Sequence, residues 1–270
     1  MKTEHIDHII AGFTRLGARL KVEQNDIRLG PFNPLRIDVK TDQKGEYFEI
    51  LVNPRVHHEV GLLDLQPKDR HLLLFTKDPA RPRADLSRLL CGHDERHWFV
   101  AAVPSGTTVM QAKESLKPTE VRAAQEQAHL KTRDAHRRKN AAFVRQGEWF
   151  FIPCPGLEPD PRLALKNEPI RRGGSKPHIV QQLFRRGGTT VYVCRAFPSG
   201  LTHAQYAKLV ATKPETRHFR WFPMVSNPEA FAKGAVRHPD HHTIHLHYWH
   251  KILLNQESAA AGNDNVAFLD

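Results

Sequence analysis

The chain has 270 residues, 40% of them hydrophobic and 26% charged, with a formal net charge of +11; these values suit one large or two smaller globular domains with a buried core. No run of about 18 apolar residues occurs, which argues against a membrane-spanning helix. The N-terminus mixes Glu4, His5, Asp7 and His8 with its apolar residues, which argues against a secretory segment and makes the cytoplasm the default location.

In chain order, Ile6, Ile9, Ile10, Phe13, Leu16 and Leu20 recur at three- and four-residue spacing, predicting an amphipathic helix over 3–21. The period then falls to two. Leu35, Ile37 and Val39 alternate with charged residues, Asp42 to Gly45 has turn chemistry, and 46–52 returns as the second strand of a hairpin. His71 to Phe75 is apolar enough for a central strand, and 89–104 reads as two strands joined at His93–Arg96. Residues 107–143 read as helical with a break near Pro118. From Thr119 onward the apolar positions are mostly alanine and the second half carries Arg137-Arg138-Lys139, the pattern of a solvated or partner-facing helix.

Beyond it, 147–153 reads as a strand ended by proline, Ile179–Phe184 as a strand or helix, and Thr189–Cys194 as a strand. Thr202 with Gln205 has capping-box spacing for a helix over 203–212. Phe219–Phe222 reads as a strand. So does Thr243–Leu254, with Ile244, Leu246 and Tyr248 on one face and His245, His247 and Trp249 on the other. The expected fold is α+β: two strand-rich, mostly antiparallel lobes (1–104 and 146–255) joined by a long basic helical connector (105–145), with a tail (256–270).

The charge is not spread evenly. Residues 1–104 carry sixteen Lys and Arg against fifteen Asp and Glu, and 105–198 carry seventeen against eight. A localised basic field is an electrostatic footprint for a polyanion. Arg171-Arg172-Gly173-Gly174-Ser175-Lys176 and Arg185-Arg186-Gly187-Gly188 bracket one element; glycines let backbone N–H groups approach a phosphate while arginine forks and lysine supply charge. Neither loop is a Walker A or dinucleotide motif. Nucleic acid, RNA or DNA, is therefore the expected partner, held through Arg137, Arg138, Lys139, Arg171, Arg172, Lys176, Arg185 and Arg186.

Two further clusters carry chemistry-bearing groups. His238-Pro239-Asp240-His241-His242 places His238, Asp240 and His241 within one turn as candidate ligands for a divalent metal, with His245 and His247 following on the strand. It matches neither H-E-x-x-H nor the zinc deaminase pattern. Cys91-Gly92-His93-Asp94-Glu95-Arg96-His97 offers His93 and His97 as an acid–base pair beside Asp94, although a charged hairpin tip reads the same. Should the two clusters meet, Asp94, His97, His238, Asp240 and His241 would suit a phosphodiester-cleaving site, with His93 a further catalytic candidate. A His/Asp-based phosphodiesterase or nuclease, with or without a metal, is thus the alternative to a nucleic-acid-binding protein, and a non-catalytic interaction scaffold the third class. The three cysteines, Cys91, Cys154 and Cys194, form no C-x-x-C pair and read as reduced, buried thiols.

Overall fold

The fold is taken from a computed structural model that describes residues 3–24, 35–55, 59–77, 86–172 and 174–257. Of the tail expected over 256–270, all but its first two residues fall outside these. The protein is mostly β, with 51% strand and 21% helix, in four antiparallel-rich sheets. The chain divides into two compact units, one holding residues up to Ala123 with 132–136 and 255–257, the other 124–131 and 137–254.

In the first unit, α1 (Thr3–Arg15) carries Ile9 and Phe13 on one face and, with Leu16 just past its end, packs them into a core with Ile37, Phe48, Ile50, Leu72 and Leu74. The strands are β1 (Leu20–Gln24), β2 (Leu35–Asp42), β3 (Gly45–Val52), β4 (Glu59–Gln66), β5 (His71–Lys77), β6 (Ser87–Asp94) and β7 (His97–Val103). They form a three-stranded sheet in the order β1-β3-β2 and an antiparallel meander β4-β5-β6-β7. Strand β5 is central. Leu72 and Leu74 face the α1 core while Leu73 packs with Val109 and Ala112 of α2 (Val109–Ser115) on the other side, so the strand is apolar without alternation.

The long basic helix is not present; short helices stand in its place. After α2 come α3 (Thr119–Gln127) and α4 (Thr132–Ala135). His129, at φ 48°, ends α3 in a Schellman arrangement, its N–H donating to the Glu126 carbonyl and the Leu130 N–H to that of Gln125. An alanine-based apolar face buries too little surface to sustain a longer helix. Arg137-Arg138-Lys139 lies instead in a turn. Lys139 bridges to Val144, and the Arg145 N–H bonds the Arg138 carbonyl.

The second unit holds β8 (Val144–Gln146), β9 (Trp149–Pro153), β10 (Leu165–Ile170), β11 (His178–Arg186), β12 (Thr189–Cys194), β13 (Phe197–Thr202), α5 (His203–Thr212), β14 (Phe222–Ser226), β15 (Glu229–His238) and β16 (His241–Leu254). Six strands form an antiparallel sheet, β10-β11-β15-β16-β9-β8; three form a smaller one, β13-β12-β14. Thr202 and Gln205 make the expected capping box of α5. Trp149, Phe151, Val180, Leu183, Val236 and Leu246 fill one face of the large sheet, and Phe184, Phe231 and Trp249 cluster separately. Trp249 is buried while Tyr248 is exposed. The alternation expected along β16 changes phase because the pairing with β15 shifts between Ala232 and Gly234, opposite His250 and Leu246.

The sheet curls so far that β8 reaches back over the β15–β16 turn. Gln146, fully buried, fixes this closure: its amide donates to the carbonyls of Val236 (3.2 Å) and His242 (2.7 Å). Gln146→Leu leaves both carbonyls without that donor. It is expected to cost about 2–3 kcal/mol, read as a lower denaturant midpoint with an unchanged m-value.

Candidate metal centre

The curled end of the large sheet brings three imidazoles together. His178 opens β11, His238 closes β15 and His241 opens β16. The register Ile179↔Arg237 sets His178 beside His238, and His238 pairs directly with His241 across the Pro239-Asp240 turn. Side chains opposite one another on adjacent strands share a face at close range. The ring centroids lie 4.2 Å (His178–His238), 4.7 Å (His238–His241) and 5.7 Å (His178–His241) apart. One nitrogen from each ring falls within 4.8 Å of the others.

His178 is the decisive member. It is 1% exposed, and neither ring nitrogen has a hydrogen-bond partner among the described residues. Leaving a buried polar group unsatisfied costs about 1–3 kcal/mol, so an imidazole in this state calls for an explanation. Burial, followed by the neighbouring His238 and His241, pushes its pKa down to about 3. Burial also lowers that of His238, with His241 next in effect. Both rings are therefore neutral at pH 7, the form that offers a lone pair to a metal.

His238 is held at both nitrogens. Its Nδ1 accepts from the Asp240 backbone N–H (3.1 Å), and Nε2 faces the Lys176 carbonyl at 3.3 Å. Binding through Nδ1 would exchange that amide for a metal while Nε2–H stays on the carbonyl, a common second partner of ligating histidines. A tetrahedral ion with bonds of about 2.0–2.1 Å sets its ligand nitrogens about 3.3 Å apart, so the three rings must close somewhat on the ion. Backbone borders the site on one side. A Cβ at Gly147 would lie 2.8 Å from His241 Nε2 and 3.4 Å from His178 Nε2, and Gly147 has φ +57°.

Asp240 stands at the rim, where its carboxylate binds Lys176 Nζ at 2.8 and 2.9 Å. Of the three ligands expected from sequence, His238 and His241 converge. The third nitrogen comes from His178, sixty residues earlier in the chain, and only the β11–β15 register brings it there. Its one local signal is Lys176-Pro177-His178 directly ahead of an apolar strand.

His93, Asp94 and His97 lie at the β6–β7 turn of the first unit, with Asp94 and His97 flanking Glu95-Arg96. His97 Nδ1 meets Glu46 Oε1 at 2.7 Å, the Trp98 N–H donates to Glu46 Oε2 at 2.9 Å, and the His93 ring packs on Trp98. The His178–His238–His241 cluster belongs to the second unit. Among the basic residues, Arg171 is exposed, Arg172 donates its backbone N–H to Ser175, and Arg186 binds Glu229 at 2.9 Å and covers the Phe231 ring. Burial, with Arg145 next, brings the pKa of Arg138 down to about 10. Arg137 and Lys139 lie in the turn before β8, and Arg185 in β11 beside β15.

Comparison with protein-family models, curated proteins and solved structures finds no match to this chain.

The burial of His178 also sets a pH dependence. In the unfolded chain the ring takes a proton near pH 6.5, while in the folded protein it does so only near 3. Above about pH 6.5 the ring is neutral in both states and sets no pH dependence; as the pH falls from there toward 3 the unfolded chain takes up a proton that the folded chain does not, and stability falls. Chelator-treated protein is expected to lose up to about 1.4 kcal/mol per pH unit over this window, measured by denaturant unfolding at pH 7, 6 and 5. A His178→Leu variant should show a shallower slope.

Proposed function

We propose that this protein acts through a divalent transition metal of the zinc type, bound by His178, His238 and His241, and that it hydrolyses phosphodiesters. The observation that carries the metal reading is the buried His178, whose two nitrogens lack hydrogen-bond partners among the described residues, set between two further imidazoles. Three histidines leave a fourth tetrahedral position for water, as catalytic zinc sites do. His238 and His241 are only half-buried, which lets solvent reach that position.

A metal held by His178, His238 and His241 would lower the pKa of a bound water toward neutrality. Asp240, at the rim, would take the proton of that water as its oxygen forms the new P–O bond and return it to the alkoxide that departs as the ester P–O bond breaks. Lys176, already beside Asp240, supplies positive charge to the phosphoryl oxygens. Arg171 and Arg172 lie on the loop that leads into His178 and add to the attraction for an anionic substrate.

The test is hydrolysis of bis(4-nitrophenyl) phosphate and of a labelled oligonucleotide by zinc- or manganese-loaded protein. Turnover should stop with chelator, return with metal and be absent in His241→Ala. A protein that binds metal stoichiometrically yet cleaves neither substrate would remove the hydrolase reading while leaving the metal centre.

The expectation of phosphate-driven nucleic-acid binding stands beside this as a second reading. One observation limits it: Lys176 and Arg186 each hold a carboxylate partner, Asp240 and Glu229, so a polyanion must compete for them. Charge-driven binding should weaken steeply with salt.

A further inference from the structure

The small sheet β13-β12-β14 presents apolar side chains that no described element covers. Among the described residues β14 pairs only with β12, and four of its five residues are exposed. Phe222 and Met224, two apart and so on one face of the strand, are 49% and 38% exposed, and Phe219, just ahead of the strand, is 40% exposed. Single exposed apolar residues are ordinary, but a contiguous group on one edge marks a contact surface. Behind them lies an ordered aromatic layer. Trp221 donates Nε1–H to the Thr216 carbonyl at 2.9 Å, stacks with Phe197 and Phe219 at 5.7 and 6.3 Å, and meets Tyr206 edge-on at 5.1 Å. Tyr206 in turn stacks on Tyr192 at 4.6 Å.

Charge identifies the occupant. Between Thr189 and Ser226 the chain carries Arg195, Lys208, Lys213, Arg217 and Arg220 against one acid, Glu215. All of these cations are exposed, and the Arg220 guanidinium lies 5.1 Å from the Phe222 ring centre. Two copies of such an edge would repel one another. An anionic partner with flat apolar faces suits it on both counts, because phosphates meet the cations while bases stack on the rings. A duplex keeps its bases stacked internally, so the ligand must be single-stranded.

We infer that the β12–β14 face, with Phe219, Phe222, Arg217 and Arg220 at its centre, is a docking surface for single-stranded nucleic acid. It shares no residue with the basic set expected from sequence, and it does not depend on the metal centre. Phe219, just ahead of β14, and Phe222, on it, offer two stacking positions, and the exposed Arg217 and Arg220 beside them in the chain can meet phosphates.

The experiment is fluorescence anisotropy of a labelled twelve-nucleotide RNA and its DNA counterpart, titrated with full-length protein in EDTA at several salt concentrations. EDTA separates this proposal from the catalytic reading, since docking should persist without metal. Phe219→Ala/Phe222→Ala should weaken binding about tenfold or more. Arg217→Ala/Arg220→Ala should flatten the plot of log affinity against log salt by about 0.7 for each lost phosphate contact. All four residues are exposed, and circular dichroism with an unchanged unfolding midpoint would establish that both variants fold. Binding that is unaffected by both double variants, or no binding even at low salt, would overturn the proposal. So would a wild-type dimer that Phe222→Glu converts to monomer, because a second copy would then be the occupant.

Discussion

Replacing His178 by leucine is expected to abolish metal binding and, in metal-free protein, to raise stability. These two effects rarely go together, and their conjunction separates a ligand from an ordinary core residue. A buried histidine kept for packing normally donates one ring N–H and accepts at the other nitrogen, so replacing it destabilises the fold. His178 does neither among the described residues, and its neighbours Trp149, His238 and His241 meet it through ring faces and edges. Leucine removes two desolvated nitrogens and fills a comparable volume. The expected gain is about 1 kcal/mol or more, seen as a higher unfolding midpoint in EDTA. Zinc affinity should fall by roughly 100-fold or more, beyond what loss of an outer-shell partner causes. Added zinc should therefore raise the melting temperature of the wild type and leave that of the variant unchanged, since a ligand stabilises only a state it binds. A destabilised His178→Leu that still binds zinc would show the ring to be a packing residue.

Gly147→Ala is expected to damage the site from the other side. Residue 147 has φ +57°, which costs a non-glycine residue about 1 kcal/mol, and its new methyl group would press on His241 Nε2 at 2.8 Å. The ring must turn away from His178, and the three nitrogens can no longer converge. Gly187→Ala is the matched control. It has φ +68° with nothing within 4 Å of an added Cβ, so it suffers the backbone cost alone. Without metal, Gly147→Ala should lose at least as much stability as Gly187→Ala, measured by denaturant unfolding, and it alone should lose zinc affinity, by tenfold or more on the outer-shell scale. Equal zinc affinity in the two variants would remove Gly147 from the boundary of the site.

The strands with strong alternation or long apolar runs were legible in the sequence: the β2–β3 hairpin, β5, β12 and most of β16. Helix α5 was legible from its capping box. Strand β15 was not. It is central, between β11 and β16, and buries Ala230, Phe231 and Ala232 in succession, so it lacks the period-two signal that marks a half-exposed strand. Strand β10 was hidden by its polar, proline-containing sequence at a sheet edge. The connector misled for the opposite reason. Its composition favours helix, but propensity is weak without an apolar face to dock. His238 and His241 stood out because they are adjacent in sequence. His178 did not, because its place beside them is a matter of long-range strand pairing, and the pattern on either side of it says only that a strand begins.

Cobalt(II) tests most directly whether the three imidazoles form a metal site. Metal-free wild-type protein titrated with cobalt should saturate at one ion per chain and develop the intense visible absorption of a four-coordinate site, which zinc then abolishes by displacement. No saturable binding, or a spectrum identical to that of His178→Leu, would contradict such a site.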